Sequence, residues 1–79
     1  MQLLTHLTPT SYAEWKRDFD AGTEARMNAG LTLLQLWQDA DGPGVTALFD
    51  VNDRGKAEAW LQRESQTGPK IDARFLRTA

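Results

Sequence analysis

The sequence predicts an α+β fold: a four-stranded antiparallel sheet with two helices on one face. Three observations predict it. Four strand-length runs carry alternating or doubly apolar patterns, two amphipathic stretches with helix-start signals separate the outer runs from the inner pair, and a turn of hairpin type joins the middle two.

In chain order, "QLLTHLT" (2–8) sets Leu3, Thr5 and Leu7 against Gln2, Leu4 and His6, which suits a strand with neither side wholly polar. "TPTS" breaks it. Ser11 with Glu14 three residues later is the capping-box pattern, and Tyr12, Trp15, Phe19, Arg26 and Met27 then keep to the helical period up to Gly30. Gly30 supplies the left-handed residue that commonly ends a helix, while Gly22 inside it costs about 1 kcal/mol relative to Ala and marks a place for a bend. "LTLLQLWQ" (31–38) reads as the second strand, with Leu31, Leu33, Gln35 and Trp37 on one side and Thr32, Leu34 and Leu36 on the other. "DADGPG" turns the chain into "VTALFDV" (45–51), the third strand. Asn52 or Asp53 caps a second helix with the stripe Ala57, Trp60 and Leu61; "TGP" ends it, and "KIDARFLRT" (70–78) is the fourth strand. The order β-α-β-β-α-β is the split arrangement of the ferredoxin-like fold.

Seventy-nine residues are expected to form one domain, a single protomer over 1–79, that folds from about 12,900 Å² of exposed surface to about 4,800 Å². Its core must be thin. With no cysteine, disulfides and thiolate metal sites are excluded, which leaves aromatic packing and self-association as sources of margin. Two helices cover one sheet face, yet the inner strands carry apolar residues on both, Leu34, Leu36 and Leu48 opposed to Leu33, Trp37, Val45 and Phe49. A second copy of the same sheet is the simplest cover, so a homodimer is expected. A net charge of −2 disfavours nucleic acid, and no run is long enough to span a membrane. "MQLLTHLT" does not have the pattern of a secretory signal, and a cytoplasmic location is expected.

The run from Tyr12 through Trp15, Phe19 and Asp20, then "Arg26-Met-Asn-Ala-Gly30", "Ala47-Leu48-Phe49-Asp50-Val51" and Asp53, Lys56, Ala57, Trp60 and Leu61, resembles the small dimeric α/β-barrel proteins. These are relatives of the antibiotic-biosynthesis monooxygenases, muconolactone isomerases and stress-responsive barrel proteins. The match spans roughly residues 3 to 65 and is better for the short bacterial members than for any enzyme branch. The resemblance implies two sheets facing each other across a dimer, helices outside, and ligands held between each sheet and its helices. The Asn, Trp and His arrangement of haem-degrading members is not matched: Trp60 and His6 exist, but the first strand has no Asn and the one His lies there instead of on a late helix.

Tyr12, Trp15, Phe19, Trp37 and Trp60 are the candidate lining of a pocket for a small apolar or aromatic ligand, with core packing as the simpler reading of rings at helical spacing. His6 is the one candidate general base, and Asp50 and Arg74, on the strands expected to flank it, are its candidate companions. Asp39, Asp41 and Gly44 fall at positions 1, 3 and 6 of a calcium loop, but Pro43 at position 5 and flanking strands favour a plain hairpin. No metal or cofactor is expected. The function expected is small-ligand binding, with a cofactor-independent monooxygenase or isomerase and a purely structural or protein-interaction subunit as alternatives.

Overall fold

The computed structural model describes all residues 1–79. The elements run β1 (Gln2–Leu7), α1 (Tyr12–Ala21), α2 (Thr23–Asn28), β2 (Leu31–Gln38), β3 (Val45–Val51), α3 (Arg54–Thr67) and β4 (Asp72–Leu76). All strand pairs are antiparallel and the sheet order is β2-β3-β1-β4, the ferredoxin-like arrangement.

Local chemistry sets the boundaries. Ser11, extended at φ −132°, accepts the Glu14 N–H at 3.4 Å to start α1, and Asp53 does the same for Lys56 at 3.0 Å to start α3. The single helix expected between Ser11 and Gly30 is two. At Gly22 the amide N–H is shared between the carbonyls of Asp18 and Phe19, and α2 departs from there as a separate turn. Met27, expected on the apolar stripe, is consequently 66% exposed. Gly30 has φ 75°, as its place at the helix end requires.

Leu3 and Thr5 of β1, Val45, Ala47, Phe49 and Val51 of β3, and Leu31 of β2 point toward the helices and are buried. There they meet Ala29, Ala57 and Trp60, with Phe19, Leu36, Leu61 and Phe75 packed at the margin. Burying side chains of this kind is worth about 1.5–3 kcal/mol each, which makes this cluster the main source of stability.

The register of β2 departs from simple alternation. Leu33 pairs with Phe49 but Gln35 pairs with Leu48, so Leu34 is one residue extra on its strand, a β-bulge. Beyond it every side chain changes sides. Leu36 pairs with Ala47 and joins the helix side, while Trp37 pairs with Thr46 on the helix-free face, the reverse of the sides expected from strict alternation.

That face is read off the pairing as three rows across β2, β3, β1 and β4: Trp37, Thr46, His6, Asp72; then Gln35, Leu48, Leu4, Arg74; then Thr32, Asp50, Gln2, Leu76. Trp37, Leu48, Leu4 and Leu76 supply its apolar surface among polar neighbours. The bulge takes Leu36 off this face and puts Gln35 and Trp37 on it.

Candidate functional site

Helices α1 and α3 cross the sheet without closing on it at one end. Between them is a cavity of about 360 Å³, within the range of small-ligand pockets. Its floor is sheet, with Thr5, Ala47 and Phe49 among the contributors; Trp15 and Phe19 come from α1 and Trp60 from α3. Its rim is the loop Pro9 to Ser11 and the segment Thr67 to Ile71.

The rings are continuous. Trp15 and Phe19 stack with centroids 4.8 Å apart, Phe19 reaches Phe49 at 6.4 Å, and Phe49 meets Trp60 edge-on at 6.0 Å and 67°. The spacing of Trp15 and Phe19, one helical turn apart, puts both on the cavity side of α1.

Arg26, from α2, is the one cationic side chain in the lining and is 6% exposed. Its Nη1 donates to the Phe19 carbonyl at 2.6 Å, its Nη2 to Thr23 Oγ1 at 3.3 Å, and its guanidinium lies 3.7 Å from the Phe19 ring centroid. Burial lowers its pKa below the ordinary arginine value, while attraction to Asp20 and Glu64 opposes the shift. An arginine cannot lose its proton under ordinary conditions, so the cavity holds a fixed positive charge. Glu14, Asp18 and Glu64 are the acidic groups of the lining. Thr5, 5% exposed, directs its hydroxyl to the Ala47 carbonyl at 3.5 Å.

The structure thus brings together Trp15, Phe19 and Trp60 of the five rings expected at a pocket, and adds Phe49. Tyr12 lies 6.1 Å from Trp15 but is not part of the lining, and the bulge carries Trp37 to the opposite face of the sheet. His6 is on that opposite face too, since Thr5 and Leu7 are its cavity-side neighbours. It therefore cannot reach a molecule held among the rings. Its in-register neighbours are Thr46 and Asp72, and its Nε2 lies 3.5 Å from Asp39 Oδ2, both side chains partly exposed. Asp50 pairs with Gln2, four residues along β1 from His6 and so about 13 Å away, and does not form the expected group with it.

The "DADGPG" segment is a hairpin loop closed by the Asp39 N–H on the Gly44 carbonyl at 2.8 Å. No group of three or more His, Asp or Glu side chains is arranged to hold a metal ion. Arg26 was legible as a charged residue on the apolar stripe of its helix, seven residues after Phe19, but its burial and its bond to the Phe19 carbonyl were not.

Comparison with known proteins adds family and fold. A model of the family described as Domain of unknown function (DUF3303) matches residues 1–64. No curated protein matches the chain in sequence. Among solved structures, a Deinococcus radiodurans protein named as a candidate antibiotic biosynthesis monooxygenase superposes with a TM-score of 0.62 at 14% identity, over 100% of this chain and 95% of that one. At that identity the likeness is one of fold.

Proposed function

Since the chain belongs to the DUF3303 family, whose description assigns no activity, the reading rests on the cavity, and we propose that this protein binds a small apolar or aromatic molecule between its sheet and its helices. The observation that carries the reading is the set of four contiguous rings opening on about 360 Å³ of space in a chain with only 13 buried residues of 79. Protein interiors are otherwise close-packed, and a small domain that leaves room beside its largest side chains forgoes stability there.

We propose further that the working form is a homodimer whose helix-free faces meet. Trp37, Leu4, Leu48 and Leu76 on that face support this, as does a total exposed surface of 5362 Å², above the roughly 4,800 Å² expected for a compact monomer of this mass. The enzymatic reading, a cofactor-independent monooxygenase or isomerase, takes second place. Its support is the name of the Deinococcus radiodurans protein, and its base would have to come from the cavity carboxylates Glu14, Asp18 or Glu64 instead of His6.

The three tryptophans make the test direct, because Trp15 and Trp60 line the cavity and Trp37 does not. Titration with 2-naphthamide, followed by the indole N–H resonances, should move Trp15 and Trp60 and leave Trp37 in place. A shift confined to Trp37, or no shift with either 2-naphthamide or the corresponding acid, 2-naphthoate, would overturn the cavity reading.

A further inference from the structure

We propose that the ligand is an aromatic acid, a planar ring system carrying a carboxylate, with the carboxylate seated on Arg26 and the rings among Trp15, Phe19, Phe49 and Trp60. This rests on the cavity being the ligand site.

The first ground is the state of the Arg26 guanidinium. Two of its five N–H groups have acceptors in the chain, Phe19 O and Thr23 Oγ1. Its Nε has no acceptor in the chain and is not sealed from solvent, and Arg26 lines the cavity. No carboxylate lies within ion-pair distance. The ion pairs of the molecule are Lys16 with Asp20, Arg54 with Glu58 and His6 with Asp39. Buried charges are ordinarily paired, and this one has a ring beneath it and no anion against it. A carboxylate is the group whose two oxygens match the guanidinium fork.

The second ground is the sign of everything else in the lining. Glu14, Asp18 and Glu64 are acidic and Arg26 is the one cation, so the place beside Arg26 is where an anion meets attraction, offset in part by Glu64, which also draws on Arg26. Such a field holds an aromatic acid in one orientation, acid group toward α2 and rings toward Trp15 and Trp60. A neutral aromatic would lack that constraint.

The third ground is size. About 360 Å³ is room enough for two fused rings with a carboxylate.

The test compares 2-naphthoate with 2-naphthamide, which has the same rings and no charge, by isothermal titration calorimetry near neutral pH. The acid should bind about tenfold more tightly, the scale of a charge-assisted pair. That preference should fall with added salt and disappear in Arg26→Gln. The Arg26 Nε–H resonance of the unaltered protein should move with naphthoate and stay with naphthamide, a readout that stands even if the variant fails to fold. Equal affinities, an unmoved Arg26 resonance, or a preference that survives in a folded Arg26→Gln would each overturn the assignment. If naphthamide binds and shifts Trp15 and Trp60 without any preference for the acid, the aromatic-acid proposal falls and the cavity reading stands; if neither compound binds, both fall.

Discussion

Gly30 holds φ 75°, and a Cβ there would run into the Asn52 side chain, whose own backbone N–H bonds to the Gly30 carbonyl at 2.9 Å. Gly30→Ala should lose about 1–2 kcal/mol from the left-handed backbone alone, read as a lower urea midpoint at unchanged slope. Gly44 presents a different obstacle. Its added Cβ would meet the ends of the His6 and Asp39 side chains, which are exposed and can swing aside. Gly44→Ala should therefore change stability by no more than about 0.5 kcal/mol while parting imidazole and carboxylate, which proton NMR of the His6 ring would register. On the outer side of α1, Lys16 reaches both oxygens of Asp20 at 2.8 Å, and this hydrogen bond raises the lysine pKa above 10.5. A cation whose folded pKa is raised stabilises below its unfolded pKa and loses that contribution as pH climbs through the folded one. The stability difference between the unaltered protein and Lys16→Met should thus be present at neutral pH and vanish in strongly alkaline solution.

Leu34 and Leu36 would share a face in a regular strand and respond alike to charge. The bulge separates them. Leu36 packs against the core opposite Ala47, whereas Leu34 is 52% exposed. Leu36→Glu should cost at least about 2 kcal/mol, and Leu34→Glu should stay within about 0.5 kcal/mol, by chemical denaturation at low protein concentration. Similar losses from both would mean an unbulged β2. The contrast also explains how much of the architecture was legible. Alternation in β1 and β3, the caps at Ser11 and Asp53 and the helix end at Gly30 are local signals, and each element they mark is present. A bulge at a leucine among leucines leaves no glycine or proline to announce it, so period-two reading carried Leu36 and Trp37 to the wrong sides. For the candidate site, Trp15, Phe19 and Trp60 could be found by helical spacing. Phe49 could be found only as core, and a charged residue on an apolar stripe does not by itself announce that it is buried, as Arg26 is.

The two faces of the sheet divide the molecule's work. On one, helices enclose the core and the cavity; on the other, the rows headed by Trp37, Gln35 and Thr32 meet solvent. If that second face is where two copies meet, Tm should rise with protein concentration, and Trp37→Glu should abolish the dependence while the dilute protein remains folded, since Trp37 is 46% exposed in the protomer. Native mass spectrometry of the same pair would report two subunits and one. Strand order gives the bulge a final significance. β2 is an outer strand of the sheet, with a row of backbone groups that any extended peptide could match. Leu34 interrupts that row, and Gln35 folds its own side-chain oxygen onto the Leu36 N–H at 3.1 Å, occupying a donor a foreign strand would need. The irregularity that sorts side chains between cavity and open face is thus also a guard against amyloid-like accretion along the edge.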